Sequence, residues 1–149
     1  MSADPDRRST RVAKVSDCLF CAMVAGQTDT LGVFEDDVVF AFLDHRPVFK
    51  GHVLVVPKTH VVTLLDLADV GPYFERVQAL TRAVMTGLGA KGSFVALNNV
   101  VSQSVAHLHT HVVPRNPKDG LRGFFWPRTK YASDEEARDY AAKIRAQMS

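Results

Sequence analysis

Apolar positions along the chain fall into two textures. In Leu31–Glu35, Val38–Leu43, His52–Val56 and Phe94–Asn98 they form short runs, rich in β-branched and aromatic residues and bounded by turn formers, which predicts strands. Asp36-Asp37 joins the first two as a hairpin, and Pro57 closes the third. From Ala68 to Leu88 the texture changes. Val70, Phe74, Val77, Leu80, Val84 and Leu88 recur with a period of about 3.6 residues, which predicts a long helix stopped by Gly89–Gly92. A shorter helix starts near Cys18, with Asp17 as cap and Gly26 as stop, and another starts at Ser133, where Glu136 completes a capping box. Val100–Val105 reads as a loop into a last strand, His107–Val113. Antiparallel strands with helices gathered to one side predict the α+β class, the long helix covering one face of the sheet.

That last strand breaks the apolar pattern in a regular way. His107, His109 and His111 alternate with Leu108, Thr110 and Val112, so the three imidazoles are expected on one face and the other three side chains on the opposite face. Six histidines scattered over 149 positions would produce this triplet about 0.01 times per chain. Imidazoles so placed serve as metal ligands, as acid, base or nucleophile, or as packed core. Each buried ring needs its own hydrogen-bond partner, so three in register favour a functional reading over a packing one.

Composition narrows the partners. A chain of 149 residues with 46% hydrophobic content supports one domain with a core. Residues 1–16 are polar and mixed in charge and are expected to form a disordered or loosely docked tail. Residues 17–149 then make a single domain with a C-terminal extension from about residue 116. A net charge of +2 without a long basic run argues against a nucleic-acid partner and leaves small anionic ligands open. No apolar signal core opens the chain and no run reaches the ~18–20 residues of a membrane span, so a cytoplasmic location without membrane contact is expected. Cys18 and Cys21 are too few for a disulfide framework and suit a metal half-site; two reduced buried thiols are the alternative, and a redox pair lacks its βαβ context.

Three blocks, in order, give the chain a specific resemblance. Cys18-Leu19-Phe20-Cys21 with Phe42-Leu43-Asp44, then Gly51 to His60 (GHVLVVPKTH), then Gln103 to Arg115 (QSVAHLHTHVVPR) resemble the histidine-triad family of nucleotide hydrolases and transferases. The match spans about residues 17–115. It implies that His109 is the nucleophile attacking the α-phosphorus of a nucleotide, with His111 and His52 beside the phosphate and Gln103 and Ser104 donating to its oxygens or the bridging atom. It implies that Asp44 accepts the ribose hydroxyls, that Phe20, Met23, Phe42 and Leu54 sandwich the base, and that Asn98 or Asn99 reaches the phosphate or ribose. It also implies a structural zinc ion held by Cys18, Cys21, His60 and His107, and a twofold homodimer using the long helix and a sheet edge. The segment Gly120–Tyr131 departs from short members. Arg122, Trp126, Arg128 and Lys130 are candidates to border a phosphate or the second half of a dinucleotide, while a dimer or helix-docking patch of Phe124, Phe125 and Trp126 is the preferred reading.

The expectation is therefore an enzyme cleaving nucleoside phosphoramidates or dinucleoside polyphosphates through a covalent nucleotidyl-histidine. Two other classes remain open: a nucleotide-binding sensor with weak catalysis, and a metal-dependent hydrolase using all three triad histidines. The second is disfavoured because the outer two lie about 13 Å apart along a strand.

Overall fold

Alternation of large apolar side chains sets out a sheet with two different faces. The computed structural model describes residues 17–122 and 128–148, so the expected tail 1–16 and the Phe124-Phe125-Trp126 patch lie outside the described residues. Residues up to Pro117 form one compact unit and Lys118–Ser149 a second. The first unit runs α1 (Leu19–Val24), β1 (Gly32–Glu35), β2 (Val39–Leu43), β3 (Val53–Pro57), a 3₁₀ turn (Leu64–Asp66), α2 (Val70–Leu88), β4 (Gly92–Ala96) and β5 (Thr110–Arg115). Its five strands pair antiparallel in the order β1-β2-β3-β5-β4, giving the expected α+β architecture.

On one face Val39, Ala41, Val53, Val55, Leu108 and Val112 pack against Tyr73, Val77, Leu80 and Val84 of α2. Burying each such side chain contributes about 1.5–3 kcal/mol, so this layer holds the helix on the sheet. Phe40, Phe42, Leu54 and Val56 point the other way and pack against Phe20 of α1, with Cys18, Met23, Val24 and Val105 at the margin. The period-2 pattern thus hands one face to α2 and leaves the second to the short helix and the histidines.

Several boundaries differ from the sequence expectation for identifiable reasons. Cys18, not Asp17, caps α1: its Sγ accepts from the Cys21 N–H at 3.5 Å. Val70 and Leu88 belong to the apolar stripe of α2 but are 45% and 56% exposed, whereas Tyr73, outside that stripe, is fully buried because its hydroxyl finds Val55 O and Thr110 Oγ1. The last strand begins at Thr110 rather than His107. Ahead of it, Leu108 N–H donates to Val61 O at 2.8 Å and the His107 ring bonds Pro57 O, so this segment is tied to the chain leaving β3 instead of to the β3 ladder. Strand β4 starts at Gly92 and ends at Ala96, two residues before the expected end, and the loop that follows holds Val100 and Ser102 at φ of 68° and 62°. The hairpin turn is as expected, with Asp36 Oδ1 accepting from Val38 and Val39 N–H.

In the second unit, α3 (Asp134–Arg145) is capped by Ser133, whose Oγ accepts from Glu136 N–H while the Glu136 carboxylate accepts from Ala132 N–H. No residue of α3 is buried. No helix among the described residues is long and apolar enough to cross a membrane.

Candidate functional site

The alternation around β5 divides the histidine segment as its side-chain pattern requires. Leu108 and Val112 enter the α2 layer, Thr110 meets Tyr73, and His107, His109 and His111 take the opposite face. The three rings are not equivalent, because each is tied by a different partner and each partner fixes a proton.

His109 is 4% exposed and its Nδ1 lies 2.8 Å from the carbonyl oxygen of His107. A carbonyl only accepts, so Nδ1 carries the proton and Nε2 keeps a lone pair. The ring is held edge-on by Phe20 at 5.1 Å between centroids and faces His111 at 5.2 Å. One nitrogen of this ring is locked by that bond, and Nε2 is the nitrogen left to face a substrate.

His111 Nδ1 lies 2.9 Å from His52 Nε2, and His52 Nδ1 accepts from Val48 N–H at 3.1 Å. Burial first, and then the neighbouring His109 and His52, push His111 down to about 4 against the upward pull of Asp44. Burial likewise lowers His52, again opposed by Asp44, whose Oδ2 is 3.8 Å from His52 Nε2. Asp44 is itself fixed by accepting from Arg46 N–H at 2.9 Å. Phe20, Phe42 and Leu54 are buried next to this group, with Met23 half-buried beside them.

The loop before His107 brings its polar side chains into mutual bracing. Gln103 Oε1 accepts from Val100 N–H and its Nε2 donates to Val62 O, which leaves one amide hydrogen uncommitted by those bonds. Asn98 Nδ2 donates to Ser102 O, Asn99 Oδ1 accepts from Leu64 N–H, and Ser104 is exposed. Arg122, Arg128 and Lys130 belong to the second compact unit.

A second cluster sits beside the His109 ring, on the far side of Phe20 and His107. Ligand atoms of Cys18, Cys21, His60 and His107 all lie within 4.8 Å of one another. His107, with no exposed surface, places Nε2 2.8 Å from Pro57 O, so Nε2 carries the proton and Nδ1 presents its lone pair to the cluster. A tetrahedral zinc ion, about 2.3 Å from sulfur and 2.0–2.1 Å from nitrogen, requires S···N separations near 3.6 Å and N···N near 3.3 Å. The observed S···N distances are 3.5, 3.5 and 3.2 Å, and His60 Nδ1 to His107 Nδ1 is 3.2 Å. The donor set therefore fits zinc. Burial, followed by the neighbouring Cys18, pushes the Cys21 thiol up to about 11 in the absence of a cation, a cost that a bound divalent ion would offset.

Residues 25–118 match the model of the HIT domain family. The chain belongs to the HIT family. A crystal structure of a HIT family member from Bacillus subtilis superposes with a TM-score of 0.80 at 33% identity, covering 89% of this chain and 98% of that one. A zinc-bound histidine triad protein from Mycobacterium smegmatis superposes with a TM-score of 0.64 at 32% identity, covering 89% and 98%. An adenosine 5′-monophosphoramidase from Schizosaccharomyces pombe is 31% identical over 120 residues, covering 79% of this chain and 89% of the relative.

Sequence reasoning missed the main-chain parts of the HIT site. Pro57 O, His107 O and Val48 N–H each fix the proton of a histidine, yet every residue type offers the same carbonyl and almost every type the same N–H. Spacing of His52 four residues after Val48 was the one available signal, and it is not specific.

Proposed function

We propose that this protein is a nucleotidyl hydrolase or transferase that cleaves at the α-phosphorus of nucleoside phosphoramidates or dinucleoside polyphosphates through a covalent intermediate on His109. The observation that carries this reading is the 2.8 Å bond from His109 Nδ1–H to the His107 carbonyl, which leaves the Nε2 lone pair as nucleophile. In the first step the Nε2–P bond forms and the bond from phosphorus to the leaving amine or phosphate breaks, the leaving group taking a proton. In the second, water attacks phosphorus, the Nε2–P bond breaks, and the nucleoside monophosphate departs. The amidase activity named for the fission-yeast relative supports the phosphoramidate class.

His52 and His111 stand beside His109 to face the phosphate, and Gln103 and Ser104 supply donors to its oxygens or the bridging atom. Asp44 accepts the ribose hydroxyls; Phe20, Met23, Phe42 and Leu54 form the wall for the base; Asn98 and Asn99 hold the phosphate-side loop. Cys18, Cys21, His60 and His107 would hold a structural zinc ion, which cross-links α1 to the nucleophile segment. Support for zinc comes from the donor distances and from the zinc-bound neighbour. Free thiols at Cys18 and Cys21 suit the reducing cytoplasm. For the homodimer, β4 is an open sheet edge beside a groove of about 530 Å³ that Phe74, Val77, Thr81, Met85 and Val95 help to line.

His109→Ala is expected to abolish turnover of adenosine 5′-phosphoramidate while nucleotide affinity stays within about threefold, since the lost group acts on the transition state. Wild type quenched during turnover should yield an acid-labile adenylyl-histidine. Full activity in His109→Ala, or no trapped adduct, refutes the mechanism, and binding without any adduct points to a nucleotide sensor.

A further inference from the structure

Within that reading, the loop from His45 to Gly51 is built around one ring. His52 N–H donates to Phe49 O at 3.0 Å, Asp44 N–H donates to His52 O at 2.9 Å, and Val48 N–H reaches the His52 side chain at 3.1 Å. Gly51 closes the loop at φ +97°, and a Cβ there would stand 2.2 Å from Leu88 Cδ1. Val48 itself is half exposed, so its main chain, rather than its side chain, is the part turned to use.

The direction of the protons follows from what each atom is able to do. An amide N–H donates and never accepts, so His52 Nδ1 accepts. A neutral His52 then carries its proton on Nε2, which must donate across the 2.9 Å gap to His111 Nδ1. His111 in turn carries its proton on Nε2. We propose that the Val48 N–H is a positioning group: through His52 it holds His111 as the Nε2–H tautomer, so that His111 meets an anionic oxygen on phosphorus only as a hydrogen-bond donor. Burial, which lowers both rings, keeps the relay neutral at pH 7.

The same pinning decides between two groups of potential metal ligands. Ligand atoms of Asp44, His52 and His111 also lie within 4.8 Å of one another. A cation on His52 Nε2 would drive that proton to Nδ1, directly against the Val48 N–H. His107 has the opposite arrangement, with its proton spent on Pro57 O and its lone pair facing the cysteines. Only the second group is open to a cation.

The test is two-bond ¹H–¹⁵N correlation on protein carrying ¹⁵N-histidine, with wild type, Val48→Ala, which keeps the N–H, and Val48→Pro, which removes it. A backbone ester at position 48, made with the α-hydroxy analogue of valine, removes the same hydrogen if the proline variant does not fold. Wild type and Val48→Ala are expected to show Nε2–H tautomers at both His52 and His111. The proline or ester protein should show the Nε2–H to Nδ1–H ratio lowered about tenfold at one or both rings, the effect of losing one buried hydrogen bond. Its kcat should fall with KM within about twofold. An Nδ1–H tautomer at His52 in wild type, unchanged ratios in the ester protein, or a bound zinc ion lost on His52→Gln would overturn the proposal. The tautomer readout needs no turnover, so it stands or falls separately from the trapping of His109.

Discussion

Tyr73→Phe removes a single oxygen from the layer between α2 and the sheet. The Tyr73 hydroxyl spends its hydrogen on Val55 O at 2.9 Å, so the 2.7 Å contact with Thr110 must run from the threonine hydroxyl to the tyrosine oxygen. Both residues are shut away from water, at 0% and 1% exposure, which denies Thr110 a water molecule as substitute acceptor. Two net hydrogen bonds at about 0.5–1.5 kcal/mol each disappear and a buried hydroxyl is stranded, giving an expected loss of about 2–3 kcal/mol. For a chain of this length that corresponds to a fall in Tm of about 6–10 °C. Thr110→Val alone leaves the Tyr73–Val55 bond and should cost about 1 kcal/mol. The double variant strands no hydroxyl, so its cost should be no greater than that of Tyr73→Phe, a coupling of at least about 1 kcal/mol. Urea unfolding of the four proteins measures this cycle. Additivity within about 0.5 kcal/mol, or a Tyr73→Phe loss below that value, refutes the assignment. Turnover should change less than about threefold, because His109 and His111 are tethered elsewhere, to His107 O and His52.

Two further outcomes follow from the site. Cys21→Ser or a strong chelator should remove one zinc ion per chain and lower the Tm by several degrees, as loss of a structural ion does; retained zinc in Cys21→Ser, measured by elemental analysis, contradicts the four-ligand cluster. On acidification, His111 protonates near pH 4 in the folded protein and near 6.5 in the unfolded chain, so the unfolded state gains its proton first. Its stability contribution is full above about pH 6.5 and drains away between 6.5 and 4. Compared with His111→Gln, wild type should therefore lose stability over that window, and a difference that grows on acidification from pH 7 to 5 would reverse the sign and refute the burial argument.

The strands and the long helix were legible because side-chain chemistry alone encodes them: an aromatic-rich apolar run for β2, a β-branched run for β3, and the helical spacing of Val77, Leu80 and Val84 for α2. The partition of the histidine segment was legible for the same reason, as alternation survives even where the ladder does not. The start of β5 was not, since it depends on Val61 and Pro57 arriving from another part of the chain. The 3₁₀ turn at Leu64–Asp66 was hidden because its capping box, Thr63 with Asp66, occupies only four residues inside a loop. At the site, the identities of the ring-bearing residues came from motif and spacing, while proton placement came from main-chain groups that carry no side-chain signature.

His107 offers its ring to the cysteine cluster and its carbonyl to His109. The ring is a property of histidine, but the carbonyl is common to all twenty residue types. Evolution can therefore separate the two tasks: a lineage that surrenders the cysteines and replaces this histidine keeps the acceptor that orients His109. On the proposed reading, loss of the metal and loss of the chemistry are separable events in descent, because replacing Cys18, Cys21 and His107 leaves the main-chain acceptor of His109 in place.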